Sequence, residues 1–475
     1  MHPLARLDHA HVWHPFTQMR DWLRQEPIVI ASGRGSVLRD TRGRTYLDAN
    51  ASIWTNLHGH NHPRLNAALT RQLRRIAHCS SLGLANGPAA LLARRLVQAA
   101  RLPRPGGLPR LNKVFFSDDG STAMEVALKL AYEYARRTHG LRQPRFLSLQ
   151  GAYHGDTVGA TSLGHIDLFH ATWRGLLFKS DRVMAPYCYR CPFNRARPER
   201  ADARETRRCQ WECVDKVEGI LHARKKQGRP HAAFVVEPLL QGAAGLIPQP
   251  AGWLRRVAEL ARAHGAQVIA DEVMTGFGRT GTGDGRTANP PLFACHQEGV
   301  QPDYLVVAKG LTGGYLPMAA TLTTQAVFNA FLGDYAEFKT FFHGHSYTGN
   351  PLGAATALAS LDVLEGAASR RARQQLEQTL RHALPALWTL PAVGDIRQVG
   401  LVAGIELVRD WRTRAPFDLR AQAGIRVCAA MARRGVLTRP IGNVIVLMPP
   451  YSTTPAQARR MVDTLHDAIA EVLGV

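Results

Sequence analysis

The sequence predicts an α/β fold, in which helices sandwich a mostly parallel sheet and a smaller α+β domain is attached. Three observations carry this. Short apolar, β-branched runs at 114–117, 145–149, 234–236, 268–270 and 305–307 are separated by longer stretches of helical periodicity. Two of the runs end in reactive groups, 268–270 in Asp271 and Glu272, and 305–307 in Lys309 just before a Gly-rich turn. The carboxyl ends of strands are where open α/β sheets bind ligands. At 475 residues, with 45% hydrophobic and 20% charged composition, the chain is long enough for two packed domains.

In chain order, residues 1–70 form an N-terminal segment in which 37–49 alternate around Thr41-Arg42-Gly43, as a hairpin does. It is expected to contribute to the small domain and to the substrate pocket. Residues 71–345 form the large domain. Helical patterns near 65–100 lead to a loop marked by Gly106-Gly107 and three prolines. A strand at 114–117, a turn at Asp118-Asp119-Gly120-Ser121 and a helix over 122–137 then make a phosphate-binding arrangement. Free backbone N–H groups at the helix start, the close approach Gly120 allows and the Ser121 hydroxyl all favour an anion. Residues 188–226 read as a charged, surface-exposed insertion. Residues 346–475 form the small C-terminal domain, strand-like around Gly400, with Arg439 between strands in 436–448.

Lysine is scarce, eight against fifty-one arginines, and Lys309 alone ends an apolar run and meets glycine. By position it is either a solvated lysine at a strand end or an amine made nucleophilic by desolvation. Asp271 weighs for the second. Pyridoxal 5′-phosphate needs a lysine for its aldehyde. It also needs a carboxylate to keep its pyridine nitrogen protonated, so that the ring accepts electrons when a proton leaves the substrate carbon.

The segments IADEVMTGFGRTG, AKGLTGGYLP and FFHGHSYTGNP together resemble the class III pyridoxal-phosphate aminotransferases. The HVWHPFTQM, WTNLHGHNHP and LTRP-IGNVIVLMPPY segments resemble the branch that serves biotin synthesis, and the resemblance runs over nearly the whole chain. It implies the fold-type I architecture, a homodimer, and transfer of an amino group to 8-amino-7-oxononanoate. It also implies roles. Lys309, Asp271 and the ring-stacking Tyr153 are catalytic. Gly120 and Ser121 hold the phosphate, and Glu237 lies near the cofactor's hydroxyl side. His345 and Ser346 reach the phosphate in the partner's site, where Gly344 touches substrate. Phe16, Ile53 and Trp54 line the pocket, and Arg439 anchors a carboxylate. Relatives usually carry a small hydroxyl residue where Asp119 stands, so its carboxylate is expected to turn away from the phosphate. Members that use S-adenosylmethionine as donor carry tyrosine where Phe16 stands and tryptophan where Ile53 stands. Some members of the branch this chain resembles use lysine instead.

Composition sets other readings aside. The net charge of +22 is diffuse arginine, without a basic stripe or a nucleic-acid-binding signature, so no specific nucleic-acid partner is expected. No run of about 18 apolar residues indicates a membrane span, and the start MHPLARLDHAHVW has no signal-type apolar core, which places the protein in the cytoplasm. Of seven cysteines, Cys188, Cys191, Cys209 and Cys213 pair as metal ligands sometimes do, but their YCYRCPF opening resembles a segment common in the family, and no metal is assigned. Two other functions stay open, a different class III aminotransferase acting on ω-amino acids or diamines, and a non-catalytic polyanion-binding protein.

Overall fold

The computed structural model describes residues 1–102, 110–281 and 290–474, so the loop expected at Gly106-Gly107 lies outside the described residues. The central sheet has seven strands, in spatial order Leu111–Ser117, Ala319–Thr324, Tyr304–Val307, Gln267–Asp271, His231–Val236, Arg145–Leu149 and Asp181–Val183. Only Ala319–Thr324 runs antiparallel to its neighbours. The inner strands read as unbroken apolar runs because both of their faces are covered. Phe234, Val268 and Leu305 point to one face, against the helices Gly87–Ala99 and Trp253–Ala263. Val235, Ile269 and Val306 point to the other, against the helix Gly120–His139. This is the α/β architecture expected from the alternation of apolar runs and helical stretches.

Two smaller sheets flank the first. Ile30–Arg34, Val37–Asp40 and Thr45–Asp48 pair antiparallel, with the hairpin turn where Gly43 allows it. The late strand Val436–Leu437 adds in parallel to Thr45–Asp48, so the two ends of the chain share a sheet. The other sheet is built on the hairpin of Val393–Val399 and Val402–Asp410, extended by Val444–Leu447 and Pro440–Ile441.

The stretch 188–226 corrects an expectation. It lies largely at the surface, as expected, but it is tied into the core rather than appended to it. Its helix Glu212–Lys226 sinks Val217 and Leu221 into the main core, while Cys188, Tyr189 and Ala203 pack in a small buried cluster. Among its charges, Arg190, Arg204 and Arg224 pair with Glu406, Asp202 and Asp181, and Asp215, Lys216 and Glu218 lie exposed on the outer face of that helix. Cys188, Cys191, Cys209 and Cys213 converge on a void of about 10 Å³, and Arg207 donates to Cys209 Sγ at 3.1 Å. Among the described residues no group of three or more His, Cys, Asp or Glu is placed to hold a metal ion, and no helix is long and apolar enough to cross a membrane.

One buried cation ties the parts together. Arg279, 1% exposed, donates to the carbonyls of Pro449 at 2.7 Å and Asn56 at 2.8 Å, with its guanidinium 4.9 Å from the centre of the Tyr451 ring. It thereby joins the loop after Asp271 to an early and a late segment. Replacing Arg279 with alanine strands two buried carbonyls, each costing about 1–3 kcal/mol. The expected result is a loss of about 3 kcal/mol, read as a lower denaturant midpoint with an unchanged far-ultraviolet spectrum.

Candidate active site

Four chain segments emerge at the carboxyl edge of the central sheet and enclose a cavity of about 1680 Å³. The first is the start of the helix Gly120–His139. Asp119 caps it, accepting from Thr122 N at 2.9 Å, while the Thr122 hydroxyl accepts from the N–H of Asp119. The Asp119 carboxylate is thus folded back onto its own helix. The N–H groups of Gly120 and Ser121 have no partner among the described residues and border the cavity, at the positive end of the helix dipole. Glycine at 120 is required sterically, since a Cβ there would lie 2.7 Å from Val273 Cγ1. The Ser121 hydroxyl accepts from Thr157 N at 2.9 Å, and Gly155, at φ 124°, lets that loop come so close.

The second segment is the end of Gln267–Asp271. Its two acids divide the work. Asp271 faces the cavity, accepting from Val273 N at 3.0 Å and from His154 Nδ1 at 2.7 Å. His154 has a fully buried side chain. Burial disfavours its charged form, but the hydrogen bond and charge of Asp271 outweigh that and lift the imidazole above its ordinary value. Glu272 points the other way and accepts from Ala294 N at 2.6 Å and Cys295 N at 2.7 Å. It belongs to the fold, not to the cavity.

The third segment is the end of Tyr304–Val307. Ala308 leads to Lys309, which sits at φ 44°, and the single-turn helix Lys309–Thr312 begins there. Lys309 Nζ lies 4.8 Å from the centre of the Trp54 ring. Burial, the dominant influence, pulls its amine below the usual lysine value, although the Asp271 and Glu237 carboxylates oppose this. The fourth is the end of His231–Val236. Glu237 accepts from Gly242 N at 2.7 Å, and its other oxygen is buried without a partner. Burial raises its carboxyl to about 7.

Tyr153 lines the same cavity, its hydroxyl donating to Asp156 at 2.7 Å and its ring parallel to His170. Phe16 meets Tyr153 and Phe169 edge-on, and Ile53 and Trp54 complete that wall. Arg439 reaches the cavity from the late loop, exposed and with no ion pair among the described residues. Gly344, His345 and Ser346 do not line this chain's cavity. His345 comes within 3.6 Å of Asp118 at its rim, and Gly344 and Ser346 face solvent.

Some neighbours escaped the sequence reading. His154, which orients Asp271, stood unremarked beside Tyr153. Tyr187, just before the 188–226 stretch, and Arg190, within it, line the cavity. There Arg190 Nε donates to Glu406 at 2.8 Å, and Arg397, 2% exposed, bridges Asp395 and Glu406 at 2.8 Å each. The signal was the aromatic density of YCYRCPF and the spacing of Asp395 and Arg397 on one face of a strand.

A buried amine, a buried hydrogen-bonded carboxylate, a flat aromatic side chain and a helix start with free N–H donors define an enzyme that handles a phosphorylated pyridine cofactor. The chain belongs to the class-III aminotransferase family, which matches residues 19–469. Among its relatives is a protein of Nitratidesulfovibrio vulgaris named adenosylmethionine-8-amino-7-oxononanoate aminotransferase, 49% identical over 99% of this chain and 82% of that protein. A protein of the same name from Geobacter sulfurreducens is 46% identical over 98% of this chain and 97% of its own length. The crystal structure of the so-named enzyme from Methanocaldococcus jannaschii superimposes with a TM-score of 0.87 at 37% identity, covering 99% of both chains. An amine transaminase from an uncultivated Pseudomonas species, solved with pyridoxal phosphate bound, gives 0.84 at 33% identity over 97% of this chain and 98% of that one.

As a class-III aminotransferase the chain uses pyridoxal 5′-phosphate, and the cavity suits it. The free N–H groups of Gly120 and Ser121 are donors for a phosphate. Lys309 would supply the amine for its aldehyde, and the unpartnered Glu237 oxygen would be an acceptor still to be satisfied.

Burial also raises the Glu272 carboxyl, from 4.5 to about 7. Between those values the folded chain holds a proton that the unfolded chain has released. Stability from this group is therefore greatest below pH 4.5, falls as pH rises towards about 7, and is flat above. The drop is about 3 kcal/mol. Thermal midpoints measured from pH 4.5 to 8 should fall less steeply in Glu272→Gln, and an identical slope would show that Glu272 carries no such proton.

Proposed function

We propose that this protein transfers an amino group to 8-amino-7-oxononanoate, giving 7,8-diaminononanoate in biotin synthesis. The names of full-length relatives at 37–49% identity support the reaction. The observation that carries the chemistry is the buried Lys309 amine beside the His154-held Asp271 carboxylate.

Bound through its aldehyde, the cofactor supplies an electron sink and a carrier for the amino group. The residues do the rest. Lys309 would hold the aldehyde, and its depressed basicity would suit the freed amine to take a proton from the amine-bearing carbon and to return one in the second half-reaction. Asp271, fixed by His154 and by Val273 N–H, keeps the ring nitrogen protonated. Tyr153 restrains the ring from its face. Gly120 and Ser121 hold the phosphate. Arg439, free of internal partners, takes the carboxylate of the acceptor through its planar fork.

The donor is S-adenosylmethionine or lysine. The relatives' names favour the first. The second is favoured by positions 16 and 53, where Phe16 lacks a phenolic hydroxyl and Ile53 lacks a second indole beside Trp54 for a bulky sulfonium nucleoside. The reading includes a cytoplasmic homodimer in which His345, Ser346 and Gly344 complete the partner's site. Supporting it, the 341–347 segment contributes no lining to this chain's own cavity, touching only its rim at Asp118, and exposes Phe342 and Tyr347, with Leu82 of the adjoining loop 91% exposed. The large and small domains are proposed to be 71–345 and 346–475, with 1–70 joined to the small one, as the pairing of Thr45–Asp48 with Val436–Leu437 supports.

Adding each donor separately to yellow holoenzyme tests the reaction. Loss of the visible band with lysine alone, or with S-adenosylmethionine alone, assigns the donor. Subsequent return of the band on adding 8-amino-7-oxononanoate assigns the acceptor, and no response to either donor would refute this function. Lys309→Ala should be colourless after dialysis, and Arg439→Ala should raise KM for 8-amino-7-oxononanoate about a hundredfold with less effect on kcat. Mixing inactive Lys309→Ala with His345→Asp should restore about a quarter of wild-type activity, because half the dimers are mixed and each then has one intact site. Absence of recovery after subunit exchange would mean that the sites are not shared.

A further inference from the structure

The chain between Asn50 and Thr55 winds against its own chirality. Ala51, Ser52, Ile53 and Trp54 have φ of 45°, 49°, 62° and 69°, and Ser52 and Ile53 have ψ of 52° and 53°. This is one turn of left-handed helix made of four consecutive L-residues, none of them glycine, asparagine or aspartate. In that conformation each Cβ crowds the following carbonyl, which is why such residues normally occur singly. Strain of this kind persists only where the surroundings over-determine it.

Those surroundings centre on Asp48. Its carboxylate is 3% exposed. It accepts from the N–H groups of Asn50 and Ser52, each at 3.1 Å, and so grips the turn at its first residues. His60 Nε2 lies 2.9 Å behind it, while His60 Nδ1 lies 3.1 Å from the Asn56 amide nitrogen. The ring therefore donates from Nε2 to Asp48 and accepts at Nδ1. Beyond the turn, the Trp54 indole donates to Asn50 Oδ1 at 2.9 Å, which keeps its ring under Lys309 Nζ. Asp48 itself does not line the cavity, whereas Asn50, Ile53, Trp54 and Thr55 do. It also ends the strand Thr45–Asp48, opposite Leu437 and two residues short of Arg439 in the partner strand's continuation.

We propose that Asp48 is a positioning residue. Its carboxylate holds the left-handed turn that presents Ile53 and Trp54 to the substrate, and the same strand end carries the pairing from which Arg439 hangs. The clamp itself is read from the backbone and its hydrogen bonds. Only the choice of substrate as probe rests on the function proposed above.

The test compares wild-type holoenzyme with Asp48→Asn, which keeps the size but places an amide where donors now point. Amide hydrogen exchange in residues 48–56 should rise about tenfold while the central sheet stays protected. KM for 8-amino-7-oxononanoate should rise about tenfold with unchanged bound cofactor and visible spectrum, because Asp48 does not touch Lys309. Adding Ser52→Gly to that variant should recover most of the KM, since glycine takes positive φ without the Cβ penalty. A contribution of Asp48 to overall stability alone would not be recovered in this way, as glycine also loosens the unfolded chain. Unchanged exchange and KM in Asp48→Asn, or a defect that Ser52→Gly leaves undiminished, overturns the proposal. If Asp48→Asn does not fold, His60→Gln, which removes only the ring behind the carboxylate, carries the same comparison. Increases in exchange and KM then support the clamp, and no change in either refutes it. A wild type that aminates nothing defeats the functional reading, and the exchange experiment still decides the clamp.

Discussion

Everything at the reaction centre depends on keeping one amine and one carboxylate away from bulk water yet within reach of the same cavity. Water would return Lys309 to an ordinary ammonium and leave Asp271 free to rotate. The fold prevents both by ending two adjacent parallel strands, Gln267–Asp271 and Tyr304–Val307, at one edge of a sheet whose faces are covered by helices. His154 adds the direction. A carboxylate with one oxygen bound to an imidazole and the other to Val273 N–H has little freedom left. The chemistry is thus a property of strand order as much as of the two side chains.

Much of this could be read from the residues. The buried strands announced themselves because side chains covered on both faces must be apolar throughout, and Lys309 stood out because lysine is rare here and ends such a run. The free N–H donors of Gly120 and Ser121 were legible because strand, glycine turn and helix form a local unit. What failed was whatever depends on contacts across the chain. The anchors that tie 188–226 into the core, Val217 and Leu221, were masked by the surrounding charges because charge density is a local property. The ion network in which the exposed Arg190 meets the buried Arg397 and Glu406 joins residues more than two hundred positions apart. The same holds for His154, whose role exists only once Asp271 is placed beside it, and for Arg279, which reads as one arginine among fifty-one until its two carbonyl partners are seen.

The left-handed turn at 51–54 shows a different limit. Nothing in Ala-Ser-Ile-Trp favours positive φ, and local propensity argues against it. By the usual penalty of about 1–2 kcal/mol per residue, four such residues carry several kcal/mol of backbone cost. That cost is offset by hydrogen bonds that lie mostly outside the turn, at Asp48, His60 and Asn56. A conformation sustained from outside cannot be seen in its own four letters.

The contact between Gly120 and Val273 has a consequence for size. With no side chain at 120, the start of the helix Gly120–His139 rests directly on the residue two places beyond Asp271. The two poles of the site, free N–H groups at one end and a carboxylate at the other, are therefore set at a fixed interval by rigid elements in van der Waals contact. The site works as a gauge. A side chain as small as a methyl group at residue 120 would reset that interval.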